Sequence, residues 1–204
     1  MRIGLTCRIV QAQGYTEVRD ALAHEWHGFL EASLPGWPWM PVPNLGKRAK
    51  SYAEAWELDA FILTGGETPG RAPLRDETEA SILDMALARG LPVFGICRGA
   101  QFINSYFGGR LSMCDTTVHV AARHEIDSDL WSPRKVNSYH EKVIRKEDLA
   151  DGLLPLATAT DLSIEAFAHA ALPVRAVMWH PERESSPDPR DVSMFKKFFA
   201  EAAR

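Results

Sequence analysis

Short apolar runs alternate with amphipathic stretches through the first half of the chain. Arg2–Cys7 carries Ile3 and Leu5 and predicts a first core strand. Val18, Leu22, Trp26 and Phe29/Leu30 recur at helical spacing and predict a helix over Glu17–Ala32. Leu34–Asn44 holds Pro35, Pro38, Pro41 and Pro43. Proline lacks the N–H that a central ladder needs, so this segment predicts an extended loop with a short strand at Met40–Val42. Its Trp37-Pro38-Trp39 predicts a buried loop rather than a substrate wall. Ala60–Leu63 predicts a buried strand ending in Thr64-Gly65-Gly66. Glu77–Arg89 predicts a helix closed by Gly90, and Leu91–Gly95 the next strand, followed by a helix to about Phe107. This βαβ rhythm predicts an α/β fold with an open, mostly parallel sheet and helices on both faces.

After Gly109 the pattern changes. Arg110–Ile126 and Lys135–Ser138 contain short strand-like pieces. Leu153–Thr160, Ile164–His169 and Val174–Trp179 follow, separated by turn signals such as Leu172-Pro173. These predict antiparallel strands added to the sheet in the C-terminal half. Asp191–Ala203 predicts a closing helix. At 204 residues, positions 1–204 read as one domain large enough for a substantial core.

Composition narrows the function classes. The net charge is −4 and no basic run suggests a nucleic-acid partner. No apolar run approaches the roughly 18 residues that span a membrane. Met1–Thr6 reads as a strand, not a signal peptide. Three scattered cysteines (Cys7, Cys97 and Cys114) argue against a disulfide framework and for a reducing cytoplasm. No Cys/His spacing suggests zinc, so no metal is expected, and His119, His124, Cys7 and Cys114 are expected to pack. His140 reads equally as a packed histidine or a contact.

One stretch carries chemistry. Val93-Phe94-Gly95-Ile96-Cys97-Arg98-Gly99 runs from an apolar strand through a glycine-flanked turn into a helix. That is a nucleophile elbow with Cys in place of Ser. Glycines two residues before and after Cys97 remove Cβ atoms where strand and helix crowd. The helix N-terminus favours the thiolate. A thiolate nucleophile needs a base, and the base an orienting group. His180-Pro181-Glu182 follows the last apolar strand, and in an extended segment side chains two apart point the same way. Glu182 then orients His180. Backbone N–H groups of Gly66 and Arg98 are placed to form an oxyanion hole.

In this combination the chain resembles the class I glutamine amidotransferases, a cysteine-triad family with a flavodoxin-like sheet. Within them it is similar to the peptidase C26-like γ-glutamyl hydrolase branch. The resemblance implies Cys97 as nucleophile, His180 as base and acid, and Glu182 as third member. It implies that Gln101 lies near the γ-glutamyl group. It further implies that the backbone around Asn137, Ser138 and Tyr139 holds the glutamyl α-amino and α-carboxylate groups. Ile3-Gly4-Leu5-Thr6-x-Arg8, the Tyr15–Trp26 stretch and Met178–Ser185 resemble the γ-glutamyl-CDP-amidate hydrolases of that branch. These act in making the phosphoramidate groups of bacterial surface polysaccharide. The implied reaction is hydrolysis of a γ-glutamyl amide or phosphoramidate through a thioester, with a small-molecule substrate and no cofactor. Alternatives are a γ-glutamyl-γ-aminobutyrate-type hydrolase and a glutaminase subunit feeding ammonia to a partner synthetase. An intact triad speaks against a non-catalytic binding module. Arg8, Glu17 and Arg19 either meet a phosphate-bearing leaving group, as arginine suits phosphate, or form a solvated ion pair. Arg183 and Glu184 read equally as an ion pair or as substrate contacts.

Overall fold

The structure, a computed structural model, describes residues 1–128 and 130–202. Its first half runs β1 (Ile3–Thr6), β2 (Arg8–Gln11), β3 (Val18–Ala21), α1 (Glu25–Ser33), β4 (Trp39–Val42), α2 (Ala49–Ala55), β5 (Ala60–Leu63), α3 (Pro73–Arg89), β6 (Val93–Ile96) and α4 (Arg98–Tyr106). The second runs β7 (Ser112–Met113), α5 (Thr116–His119), β8 (Ala122–Asp127), β9 (Arg134–Ser138), β10 (Lys142–Val143), β11 (Leu153–Ala159), β12 (Ile164–His169), β13 (Val174–Val177) and α6 (Pro189–Ala202).

A nine-stranded sheet has the order β4-β1-β5-β6-β13-β12-β11-β8-β9. The first five strands are mutually parallel, and β12, β11, β8 and β9 extend the sheet antiparallel. This is the expected flavodoxin-like sheet with its antiparallel addition. The central strands are buried on both faces, so alternate residues feed two cores. Phe61, Leu63 and Val93 pack with Ile82, Leu83 and Ile103 of α3 and α4. Ile62, Phe94 and Ile96 pack with Trp26, Phe29, Phe195 and Phe199 of α1 and α6. The Phe195 ring sits 4.2 Å from Phe94 and 4.8 Å from Phe29. Trp37 and Trp39 lie against this second core, as expected of a packed loop. Pro41 is tolerated because β4 is an edge strand.

The helix expected over Glu17–Ala32 is shorter. Val18–Ala21 pairs with Arg8–Gln11 in an antiparallel ribbon, and the helix begins only at Glu25. Trp26, Phe29 and Leu30 are its buried face, whereas Val18 is 61% exposed. Val18 and Leu22 share the helical phase without sharing the helix. The ribbon is tied down by Asp20, which accepts the Asn44 backbone N–H at 2.9 Å. Helix α3 starts four residues before the expected Glu77, with Pro73 in its first turn where a missing N–H costs nothing. Arg110–Ile126 resolves into β7, α5 and β8. The closing helix starts at Pro189, and the expected end, Ala203, lies outside the described residues. Among the described residues, no helix is long and apolar enough to cross a membrane.

Candidate active site

Cys97 joins β6 to α4, with φ 49° and ψ −103°. A positive φ is uncommon for a residue with a Cβ and marks a backbone held under strain. The flanking glycines make the turn sterically feasible. A Cβ on Gly95 would lie 2.7 Å from Ile103 Cδ1 and 2.8 Å from the Gly99 carbonyl carbon. A Cβ on Gly99 would lie 2.0 Å from the Leu63 carbonyl oxygen. Strand β6 and helix α4 can cross this closely only without those carbons.

The parallel pairing of β6 with β13 brings the second group in. Val177 is in register with Ile96, and the Cys97 N–H donates to the Val177 carbonyl at 2.8 Å. Just beyond that strand, His180 faces Cys97 closely enough for its charge to act on the thiol. Its Nδ1 lies 2.7 Å from Glu182 Oε1. The route to that contact differs from the extended one predicted. Pro181–Arg183 is a 3₁₀ turn, whose φ the proline ring presets, and Glu182 curls back onto the ring. Gly65 makes room for the imidazole: a Cβ there would lie 2.4 Å from His180 Cε1. Asn137 fixes the backbone of His180. Its Oδ1 accepts the His180 N–H and its Nδ2 donates to the His180 carbonyl, both at 2.8 Å.

The electrostatics follow from this geometry. Burial pushes the Cys97 thiol up, but the charge of His180, helped by His140 and Arg183, outweighs it and holds the thiol below its ordinary value. Burial alone would lower His180. The facing Cys97 and Glu182 instead raise it to about 9. The pair therefore favours thiolate and imidazolium. Burial, reinforced by Asp20, raises Cys7 to about 11, and burial raises Cys114 too, as expected of packed thiols.

Cys97 opens into a cavity of about 300 Å³ whose lining includes Gly66, Arg71, Gln101, Tyr139 and His140. Arg98 occupies the first position of α4, where a backbone N–H has no acceptor within the helix. Its guanidinium does not face the cavity. It pairs with Glu79 and Asp76 and donates to the Glu67 carbonyl at 3.0 Å. Arg75 joins the same buried group, with Nε 3.0 Å from Glu79 Oε1, and donates to the carbonyls of Thr64 at 2.7 Å and Gly65 at 3.1 Å. These ions hold the glycine turn in place. Sequence reasoning missed Arg75 and Glu79. The signal available was an i,i+4 ion pair on the same helix face as the buried Ile82 and Leu83.

Other predicted residues are placed differently. Gln101 lines the cavity and donates to the Lys142 carbonyl at 3.2 Å. The Asn137 side chain is consumed by His180 and Glu184, and Ser138 Oγ donates to the His119 carbonyl at 2.7 Å. Neither side chain is free for a ligand. Tyr139 is exposed at the cavity, its ring 5.6 Å from that of His180 and beneath the Arg183 guanidinium. Glu184 pairs with Arg123 at 2.9 Å. Glu17 and Arg19 form an exposed ion pair on the β2–β3 ribbon, outside the cavity lining. Arg8 lines a separate narrow cleft with Trp26, Gly65, Glu182 and Arg183.

The Peptidase C26 family model matches residues 3–182. The chain belongs to the peptidase C26 family. This C26 chain is 32% identical to the gamma-glutamyl-CDP-amidate hydrolase of Campylobacter jejuni, over 98% of each chain. It is 32% identical to a putative glutamine amidotransferase-like protein of Lactococcus lactis, over 69% of this chain and 73% of that one. A putative GMP synthase component of Thermoplasma acidophilum shares the fold, with a TM-score of 0.72, 23% identity and coverage of 100% of this chain and 96% of that one. The C26 member described here is thus a hydrolase of the glutamine amidotransferase type.

Proposed function

We propose that the chain hydrolyses a γ-glutamyl amide through a γ-glutamyl thioester on Cys97, and that its substrate is γ-glutamyl-CDP-amidate. The observation that carries the reading is the buried line Cys97–His180–Glu182 at the edge of a cavity with room for a ligand. Likeness to the Campylobacter hydrolase along 98% of both chains supports the substrate. The Cys97 thiolate attacks the δ-carbonyl carbon, and the Gly66 and Arg98 N–H groups stabilise the oxyanion. His180, oriented by Glu182, gives its proton to the leaving nitrogen as the C–N bond breaks. Water then attacks the thioester and His180 takes its proton. Glutamate leaves, and the thiolate and imidazolium are restored. The other product is cytidine diphosphoramidate, and Arg71 at the cavity is the cation we assign to its diphosphate, in place of Arg8, Glu17 and Arg19. Gln101 and the 137–139 backbone hold the glutamyl end. The reaction serves phosphoramidate modification of a surface polysaccharide and takes place in the cytoplasm.

A second reading, a glutaminase subunit for a separate synthetase, is favoured by likeness to a glutamine-hydrolysing GMP synthase component of Methanocaldococcus jannaschii, 29% identical over 62% of this chain. One assay separates the two. Glutamine, γ-glutamyl-γ-aminobutyrate, γ-glutamyl-putrescine and γ-glutamyl-CDP-amidate are offered to the isolated protein and glutamate release is measured. Preference for the CDP-amidate is expected. Turnover of glutamine alone, and only with a synthetase added, would establish the second reading. Cys97→Ala should lose roughly 10⁴-fold or more of the activity, since its thiol has no substitute. An unchanged rate in that variant removes the thioester.

A further inference from the structure

His119 ends α5, His124 lies in β8, His140 follows β9 and Glu165 lies in β12. Four separated segments thus bring four buried ionisable side chains together. Three contacts converge on the Glu165 carboxylate. His119 Nδ1 is 3.7 Å from Oε1, His140 Nε2 is 3.6 Å from Oε1, and His124 Nε2 is 3.3 Å from Oε2. All three ring nitrogens and both carboxylate oxygens are buried without a hydrogen-bond partner.

The outer nitrogens are, by contrast, all engaged with acceptors. His124 Nδ1 lies 3.3 Å from the Val118 carbonyl, His140 Nδ1 2.9 Å from the Lys142 carbonyl, and His119 Nε2 3.0 Å from Asp161 Oδ2. An acceptor there places the ring's N–H on the outside. A ring left neutral then aims a lone pair inward at the carboxylate, whereas a ring protonated on both nitrogens, as the raised His124 and His140 favour, aims an N–H there. Lone pairs and a carboxylate converging without a donor repel one another unless a cation lies among them.

Protons on the inner nitrogens would draw N–H···O contacts to about 2.7–3.2 Å. A tetrahedral zinc with bonds near 2.0–2.2 Å sets its ligand atoms about 3.3–3.6 Å apart. The contacts, at 3.3, 3.6 and 3.7 Å, are all longer than a direct N–H···O bond; that of His124 lies at the zinc spacing and that of His119 just beyond it. Ligand atoms of His119, His124 and Glu165 all lie within 4.8 Å of one another. The outer partners have the form of a ligand-orienting shell, with a carboxylate behind one histidine and carbonyls behind the others.

We propose that His119, His124 and Glu165 form a divalent-cation site suited to zinc, with His140 beside it. Imidazole and carboxylate donors are the set zinc prefers when no thiolate is offered. The cation clamps α5, β8 and β12 to one another. His140 lines the Cys97 cavity, so the clamp also backs one wall of it. Linear spacing predicts no such site, because its ligands come from different elements.

The test uses the untagged full chain, dialysed against a chelator and titrated with Co²⁺, then with Zn²⁺. Visible absorption of tetrahedral cobalt, saturating at one equivalent and abolished by zinc, is expected. Cys97→Ala should keep the signal, which separates this site from the thiol and from the proposed hydrolysis. Glu165→Gln and His124→Asn should lose it, and Asp161→Asn should weaken binding about 10–100-fold. Circular dichroism identifies any variant that fails to fold, and the milder Asp161→Asn then carries the comparison. A folded wild type that neither binds cobalt nor retains zinc overturns the site and leaves a protonated histidine cluster. Saturation unchanged in folded Glu165→Gln overturns it equally.

Discussion

Two buried ionic clusters adjoin the Cys97 cavity, one through Glu67, which both Arg75 and Arg98 contact, and one through His140, and they are finished differently. In the first, Glu79 accepts from Thr6 at 2.8 Å, from Arg75 at 3.0 Å and from Arg98, while the guanidinium groups also reach the carbonyls of Thr64, Gly65 and Glu67. In the second, the inward atoms of three histidines and Glu165 meet without a hydrogen bond. Desolvating a charge is costly, and close partners offset that cost. The first cluster is therefore complete within the chain and fixes the glycine turn. The second has capacity left over, which is why it reads as a site rather than a brace.

The largest effect should break the first cluster. Glu79→Gln leaves two buried guanidinium groups short of their shared anion and should cost about 3–5 kcal/mol in urea unfolding. With chelator present, Glu165→Gln should cost clearly less, since the histidine contacts of its carboxylate, at 3.3 to 3.7 Å, are longer than those of Glu79. Equal losses would erase the distinction between the two clusters.

A smaller effect concerns the thiol between them. The facing Cys97 and Glu182 raise His180, and the charge of His180 in turn holds the Cys97 thiol below its ordinary value. Removing that charge in His180→Gln raises the thiol's pKa, so at neutral pH less thiolate remains. Alkylation by iodoacetamide should set in at lower pH in the wild type than in the variant, and at neutral pH the variant should be about tenfold slower for every tenfold loss of thiol acidity. A variant profile that overlays the wild type would mean that the first cluster or the helix terminus, not His180, activates Cys97.

The smallest effect calibrates the scale. Arg19 and Glu17 form an exposed pair, so Arg19→Ala should change unfolding stability by no more than about 1 kcal/mol. A larger loss would give the β2–β3 ribbon a weight comparable to that of the buried ions.

How much of this was readable along the chain depends on how local each feature is. The elbow was legible because its requirement is local: Gly95 and Gly99 stand two residues either side of Cys97 and relieve contacts that any such turn creates. His180 and Glu182 were legible as neighbours, although the 3₁₀ turn that joins them was not. The flavodoxin-like alternation was legible because central strands buried on both faces leave unbroken apolar runs. The β2–β3 ribbon was hidden by Val18, which keeps helical phase with Trp26 while sitting in a hairpin. Arg75, Glu79 and the histidine cluster were hidden because their partners lie on other elements, and linear spacing carries no record of a tertiary contact.

The parallel pairing of β6 with β13 has a consequence for how the protein is made. Cys97 leaves the ribosome long before His180, and β13 inserts beside β6 only once the second half of the chain exists. Such non-local pairing comes late in folding. Until then the thiol lacks its cationic neighbour and behaves as an ordinary, mostly protonated cysteine. The nascent chain is thereby spared a reactive sulfur during the period when it is least able to shield one, and completion of the fold itself arms the nucleophile.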